Sequence, residues 1–150
     1  ICGGMYVQKG KLEKTIVLEE GDTITFSKDA KIKKCVAIAT GFMAIHRSVF
    51  EILIKAKKDG EPVLPHCFKG YNWEMYPFFD SRPVKMDDGS WIFAPEDWSF
   101  CLHARDAGIS TYIDPSIYQL GHLGEYSYDL RDRLRPSKIG WADFNELTLK

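Results

Sequence analysis

The chain has 150 residues, of which 45% are hydrophobic, and its 20 basic residues nearly balance its 21 acidic ones. This length and composition suit one compact domain with its own core. The net charge of −1 argues against nucleic acid or an anionic membrane surface as a partner. No apolar run reaches the roughly 18 residues that span a bilayer, so the sequence predicts no membrane span.

The cysteines predict a reducing environment. Cys2, Cys35, Cys67 and Cys101 lie far apart, and no two of them form a C-x-x-C pair. This spacing argues against a zinc ribbon or a redox-active dithiol. Apolar neighbours predict reduced, mostly buried thiols, and reduced thiols favour a cytoplasmic protein.

Short strands are predicted in the first part of the chain. Apolar residues predict a buried strand over residues 1–7. A hairpin is expected over residues 15–26, because two β-branched runs flank Gly21-Asp22. Residues 35–39 predict a further strand that leads into Gly41.

A first helix is predicted to follow, with Ser48 as its N-cap. Residues at three- and four-residue intervals form its expected inner face: Val49, Ile52, Leu53 and Ala56. Lysines near the end, followed by Asp59-Gly60, predict the C-terminal stop.

Aromatic residues surround a predicted turn in the second half of the chain. A polar turn over residues 85–89 precedes the strand-like Ser90 to Phe93. Phe79 and Phe93 are expected in the core. Trp91 and Trp98 are candidates for stacking against a sugar ring, although core packing is the simpler role for an aromatic side chain.

Two adjacent acids open a second predicted helix. Phe100, Cys101, Ala104 and Ala107 recur at helical spacing after Glu96-Asp97, and Gly108 marks the end. The positive end of the helix dipole favours ionised carboxylates there, which suits proton abstraction near an anion. First-turn acids are also common as simple caps, and position alone favours that structural role. His103 is expected on the surface of this helix.

The region after this helix predicts strands and a glycine-flanked histidine. Strands are expected over residues 111–113 and 117–120, around an Asp114-Pro115 turn. His122 lies between Gly121 and Gly124, and glycine lets a phosphate or metal come close. Without that context, His122 would be read as a structural histidine.

The order of these motifs resembles the C-terminal half of a family 2-like glycosyltransferase. The motifs are Thr40 to Phe50, Glu96-Asp97 with Ala104 to Gly108, Asp114-Pro115, and Gly121-His122. The resemblance implies a partial glycosyltransferase-A fold, an α/β (α+β-like) fragment with a mixed β-sheet flanked by helices. It covers most of residues 1–124, and residues 125–150 are expected to be a polar C-terminal extension.

The resemblance also implies roles for individual residues. Asp97 would be the catalytic base, and Glu96 would help to orient the acceptor. Gly41 and Phe42 would border the acceptor pocket. His122 would be one ligand of a divalent cation, Mn²⁺ or Mg²⁺, on the donor diphosphate. The implied activity is transfer of a sugar from a UDP- or GDP-sugar to a hydroxyl of a carbohydrate or other acceptor.

The nucleotide-binding half of such an enzyme, with its Asp-x-Asp motif, has no counterpart in these residues. Asp87-Asp88 and Asp129 to Asp132 lie in the wrong place along the chain. A start at Ile1, inside a strand-like run, therefore predicts a truncated piece. The sugar, the nucleotide, the acceptor, the stereochemical course and the oligomeric state stay open.

Two other functions compete with glycosyl transfer. One is a non-catalytic carbohydrate-binding or interaction module, which the many aromatic residues favour and which needs no metal. The other is a metal-dependent hydrolase built on Glu96, Asp97 and His122, although the sequence has no second metal-ligand set.

Overall fold

The computed structural model of this protein describes residues 1–5, 15–64, 74–86, 88–117, 120 and 147–149. They divide into two compact units. We call Ile45–Thr111 with Ile1 the helical unit, and Cys2–Ala44 with Tyr112–Lys150 the sheet unit.

Strands and helices alternate irregularly along the described residues. Their order is β1 (Cys2–Gly3), β2 (Ile16–Val17), β3 (Ile24–Phe26), β4 (Lys33–Cys35), β5 (Ala37–Ile38), a 3₁₀ turn (Thr40–Phe42), β6 (Met43–Ala44), α1 (Arg47–Lys55), β7 (Lys57–Lys58), β8 (Glu61–Pro62), β9 (Arg82–Lys85), β10 (Trp91–Ala94), α2 (Glu96–Asp106), β11 (Thr111–Ile113) and β12 (Leu147–Leu149). The predicted α+β class with a mixed sheet is confirmed. Neither α-helix in this part of the chain has the length and apolar content to cross a membrane.

The sheet unit is built around a four-stranded mixed sheet in the order β4-β11-β1-β6. Strand β1 runs parallel to β11 and antiparallel to β6. Glycine is required in β1, because a Cβ at Gly3 would clash with the Phe42 carbonyl oxygen, a backbone atom that cannot move aside as a side chain can. The predicted first strand is thus present, though as Cys2–Gly3 only, and residues 6 and 7 lie outside the described residues.

The predicted hairpin over residues 15–26 is wrong. Strand β2 pairs with β5, and β3 pairs with β12. The turn itself forms, with Gly21 at φ 77 and the Asp22 N–H donating to the Glu19 carbonyl oxygen over 3.1 Å. A local turn signal marks a change of chain direction, but it does not choose the strand that each flanking strand pairs with.

The core of the sheet unit consists of apolar side chains from these short strands. The buried members are Met5, Ile16, Ile24, Phe26, Cys35, Ala37, Ile38, Ala39 and Ile113. The predicted Asp114-Pro115 turn is confirmed, because the Ile117 N–H donates to the Asp114 carbonyl oxygen over 3.1 Å. Residues 118 and 119 of the strand expected over residues 117–120 lie outside the described residues.

The helical unit begins with α1, whose predicted N-cap is wrong by two residues. His46, and not Ser48, is the cap, and its Nδ1 accepts a hydrogen bond from the Ser48 N–H over 3.3 Å. Val49 and Leu53 are buried one turn apart. Ile52 is 44% exposed, so it does not belong to the inner face.

Asp59-Gly60 forms a hairpin turn and not a helix stop. Helix α1 ends at Lys55, and the next residues pair as β7 with β8. Asp59 and Gly60 both have positive φ, 53 and 89, as a type I′ turn between two antiparallel strands requires.

A second hairpin, β9 with β10, confirms the predicted turn over residues 85–89. Gly89 has φ 83, and Ser90 donates from its N–H and hydroxyl to Asp88 Oδ1. These two hydrogen bonds hold the pKa of the Asp88 carboxyl below its ordinary value. Asp87 lies outside the described residues.

Helix α2 follows β10 directly and has the predicted bounds. It ends in a Schellman motif, in which the Ile109 and Gly108 N–H groups bind the Ala104 and Arg105 carbonyl oxygens, with Gly108 at φ 79. Six consecutive residues in its middle are buried: Ser99, Phe100, Cys101, Leu102, His103 and Ala104. The middle of α2 is therefore enclosed on all sides, whereas α1 is buried along one stripe.

Candidate active-site helix and its supporting network

The sequence-predicted site residues fall in different parts of the molecule. Glu96, Asp97 and Trp98 form the first turn of α2, and Trp91 begins β10, so these four lie in the helical unit. Gly41 and Phe42 form the 3₁₀ turn of the sheet unit. His122 lies outside the described residues.

The first turn of α2 carries the two acids in distinct settings. Glu96 is exposed, whereas Asp97 is half-buried. Pro95 is the N-cap and offers no side-chain hydrogen bond. Asp97 Oδ1 accepts a hydrogen bond of 2.8 Å from the Trp98 N–H, one of the amide groups that a helix start leaves without a helical partner. The carboxylate thus lies in the positive field of the helix terminus.

An aromatic face leads up to this helix start. Trp91 and Phe93 alternate along β10 and are 67% and 71% exposed. Their cross-strand neighbours are Lys85 and Pro83, which are also exposed. The expectation that Phe93 packs in the core is wrong, because β10 turns Ala94 inward and its odd-numbered residues toward solvent.

The buried side of α2 holds a polar cluster that sequence reasoning missed. His103 Nε2 lies 3.1 Å from Asp80 Oδ1, and the Ser99 hydroxyl donates to the same oxygen over 3.2 Å. Arg82 completes the cluster, because its Nε donates to the Ser99 hydroxyl oxygen over 3.1 Å. We call Asp80, Arg82, Ser99 and His103 the Asp80 cluster.

His103 is fully buried, so its expected position on the helix surface is wrong. Burial lowers the pKa of His103 below the ordinary 6.5, and the nearby positive charge of Arg82 lowers it further. The hydrogen bond and negative charge of Asp80 partly oppose this shift, as does the Val63 backbone. His103 is therefore neutral at pH 7.

One tautomer of the neutral ring suits the contact with Asp80. Asp80 is an acceptor, so the ring proton belongs on Nε2. Nδ1 then carries a lone pair, and within the described residues no hydrogen bond of ordinary geometry reaches it, although the Val63 backbone is near enough to influence the pKa.

An aromatic cluster packs beside the Asp80 cluster. Phe79 stacks on the buried Phe100 with ring centroids 4.5 Å apart, but it is itself 43% exposed, so its expected place in the core is wrong. Phe50 of α1 contacts Phe100 at 5.8 Å and Phe78 edge-on at 5.0 Å. Residues 79–82 therefore bind α2 by stacking and hydrogen bonding over one short stretch.

Two signals in the sequence point to the Asp80 cluster in retrospect. Ser99 and His103 are polar residues four apart in an otherwise apolar helix run, so they share one face. Asp80 directly follows the aromatic run Tyr76-Pro77-Phe78-Phe79. Pairing the two required the tertiary structure, because 19 and 23 residues separate Asp80 from its partners.

In the sheet unit, Gly41 and Phe42 are exposed, and Phe42 is 44% accessible. The Phe42 carbonyl oxygen accepts a hydrogen bond of 3.2 Å from the Gly4 N–H, which ties the 3₁₀ turn to the chain just after β1. The side chain of Phe42 is thus presented by a backbone that is held in place.

The described residues hold no group of three or more His, Cys, Asp or Glu side chains that would bind a metal ion. His46 serves as the α1 cap. The residues within the described part therefore do not make a cation site, and the prediction for His122 falls outside it.

A groove of about 530 Å³ lies in the helical unit, at the opposite end of α2 from the acids. Its lining includes Glu51, Ile52 and Lys55 of α1 and Asp106 at the end of α2. Its position gives it no part in chemistry at Asp97.

No protein-family model matches this sequence, and no curated protein and no solved structure is significantly similar to it.

Proposed function

We propose that this chain is the acceptor-side part of a glycosyltransferase of glycosyltransferase-A fold. It would transfer a sugar from a nucleotide-diphosphate sugar, UDP- or GDP-linked, to a hydroxyl of a carbohydrate or other acceptor. The order of four sequence motifs supports this proposal. The observation that carries it is the half-buried Asp97 at the start of α2, immediately after a strand with exposed aromatic side chains.

The proposed chemistry at Asp97 is general base catalysis. A carboxylate oxygen of Asp97 takes the proton of the acceptor hydroxyl as that oxygen bonds to the anomeric carbon, while the bond from this carbon to the diphosphate breaks. Proton transfer to a positioned base typically contributes about 10²–10⁴-fold to the rate. The positive end of the helix dipole interacts favourably with a carboxylate at this position, and exposed Glu96 would orient the acceptor.

In the helical unit, Trp91 and Trp98 are the residues proposed to contact an acceptor sugar. In the sheet unit, Gly41 and Phe42 are proposed as acceptor-binding residues from their sequence motif alone. An exposed aromatic face offers the apolar area on which a sugar ring stacks. Trp91 has that exposure, and Trp98 is half-buried next to Asp97.

The donor side of the proposal depends on residues outside the described part of the chain. A divalent cation, Mn²⁺ or Mg²⁺, would neutralise charge on the leaving diphosphate when bound. His122 is the residue proposed to contribute to its site. A cytoplasmic location is also proposed, and the thiols of Cys2, Cys35 and Cys101 support it.

A transfer assay tests the function. Because the proposed enzyme needs a nucleotide-binding half beyond these residues, the full-length protein is incubated with UDP-glucose or GDP-mannose, Mn²⁺, and a panel of oligosaccharide acceptors. We expect a glycosylated product from at least one pair. Absence of transfer with every pair, together with intact nucleotide binding, would contradict the proposal.

Calorimetry tests the cation separately. Titrating the protein with UDP or GDP, with and without Mn²⁺, should show binding that depends on the metal and weakens in His122→Ala. If nucleotide binding depended on Mn²⁺ equally in wild type and in His122→Ala, His122 would not be a ligand of the metal.

The exposed pair Trp91 and Phe93 favours one second candidate, a non-catalytic carbohydrate-binding module. That function predicts metal-independent sugar binding, lost in Trp91→Ala and unchanged in Asp97→Asn. Binding on an oligosaccharide array without turnover of any nucleotide sugar would select it over transfer.

A further inference from the structure

We propose that Asp80 is a positioning residue that fixes α2, and with it the proposed base Asp97, by binding two side chains of that helix. The inference depends on the function proposed above, since it gives Asp80 a part in the same reaction. Asp80 acts through the helix and is not itself a catalytic residue.

The geometry of the Asp80 cluster supports this role. One carboxylate oxygen, Asp80 Oδ1, binds Ser99 at 3.2 Å and His103 at 3.1 Å, and these residues lie on successive turns of α2. A helix held at two turns cannot slide along its axis or rotate about it without breaking one of these bonds. Asp97 is two residues from Ser99 in the same helix, so it moves whenever that turn moves.

Burial makes the two bonds hard to replace. The Ser99 and His103 side chains are fully buried, so in the folded protein their donors depend on a protein acceptor, which Asp80 supplies. A buried donor that loses its partner carries the full cost of its desolvation. Asp80 itself keeps 24% of its side chain exposed, so its charge is partly solvated.

Proton positions in the cluster are mutually consistent. The Ser99 oxygen accepts from Arg82 Nε at 3.1 Å, which directs the single hydroxyl proton toward Asp80. With its ring proton on Nε2, neutral His103 donates to the same carboxylate oxygen, 3.1 Å away. Both bonds therefore require an acceptor at Asp80, but they do not require a negative charge.

This requirement defines a matched pair of variants. Asp80→Asn keeps a carbonyl oxygen that can accept both hydrogen bonds, whereas Asp80→Ala removes the acceptor. Asp22→Ala is the control, because Asp22 also has an ion-pair partner, Lys33 at 3.2 Å, but belongs to the sheet unit.

Two readouts on the full-length protein test the proposal. The first is amide hydrogen exchange of α2, with α1 as the internal reference. We expect Asp80→Ala to accelerate exchange in α2 by about 10-fold or more relative to α1, and Asp80→Asn and Asp22→Ala to leave the ratio near wild type. The second is steady-state transfer, in which Asp80→Ala should lower kcat by about 10–100-fold with the donor KM unchanged, and Asp80→Asn should restore most of it.

The outcomes separate this inference from the proposed function. Unchanged α2 exchange in Asp80→Ala would overturn the inference even if the wild type transfers sugar. Faster exchange of α2 in Asp80→Ala with a wild-type kcat would overturn the inference too, because Asp80 would then stabilise α2 without affecting the reaction. Absence of transfer by the wild type would contradict the proposed function and with it the catalytic role of Asp80, and the exchange result would still decide whether Asp80 holds α2.

Discussion

The two α-helices of the helical unit are buried in different ways. Helix α1 covers the core with Val49 and Leu53 and leaves Ile52 and Ile54 44% and 39% exposed. Helix α2 is buried along residues 99–104, including Ser99 and His103. An enclosed helix must give its polar side chains protein partners, because water is not there to bind them. The comparison explains why α2, and not α1, is joined to a neighbouring segment by hydrogen bonds.

Truncating one apolar residue in each helix should show the largest contrast. Phe100→Ala removes a fully buried ring that stacks on Phe79 at 4.5 Å, and we expect it to lower the free energy of unfolding by about 3–5 kcal/mol. Ile52→Ala, at a 44% exposed position of α1, should cost less than about 1 kcal/mol. Urea denaturation measures both free energies. Losses of equal size would contradict the difference in burial between the two helices.

A double-mutant cycle on the Asp80 cluster should give the next effect. Asp80→Ala leaves two buried donors without an acceptor, so we expect a loss of about 1–3 kcal/mol in unfolding free energy. Adding His103→Leu, which removes one of those donors, should cost less in the Asp80→Ala background than in wild type. Strict additivity of the two changes would mean that the two side chains do not interact in solution.

Protonation of His103 should produce a smaller, pH-dependent effect. The folded-state pKa of His103 is lowered from 6.5, so below about pH 6.5 the unfolded chain binds more protons than the folded one. Stability should therefore fall as the pH drops below 6.5 and level off below the folded-state pKa. His103→Gln should reduce this slope in denaturation experiments between pH 7 and pH 5, and an unchanged slope would assign it to other groups.

Loss of the α1 cap should have the smallest effect. His46 is exposed and binds the Ser48 N–H over 3.3 Å. We expect His46→Ala to lower the free energy of unfolding by roughly 0.5–1 kcal/mol, and His46→Asn, which supplies a common capping side chain, to restore it. Thermal unfolding followed by circular dichroism compares the two, and a loss as large as that of Asp80→Ala would contradict the contrast between the helices.

The sequence was sufficient to predict features that depend on neighbouring residues. The bounds of α2 follow from acids at its start and Gly108 at its end, and the β9–β10 turn follows from Gly89. The partners of β2 and β3 did not follow, because each pairs with a distant strand and not with the other. Phe93 was placed in the core for its residue type, whereas the alternation of β10 decides its exposure.

In the candidate site, too, the sequence predicts what depends on neighbouring residues and misses what depends on distant ones. Asp97 and Glu96 could be located from the acidic pair and the helix that follows it. Asp80 could not, because its role depends on side chains 19 and 23 residues away that meet it only in the folded unit. The predicted surface position of His103 is wrong for the same reason, because the sequence does not show the partner that lets a helical histidine be buried.

Transfer kinetics of Asp97→Asn, beside Asp106→Asn, test the central claim most directly. Both residues are acids of α2, but Asp106 lies at the far end and pairs with Lys58 at 2.8 Å. If Asp97 is the base, Asp97→Asn should lower kcat by about 10²–10⁴-fold with nucleotide binding intact, and Asp106→Asn should keep the wild-type rate. Wild-type turnover by Asp97→Asn would contradict the account.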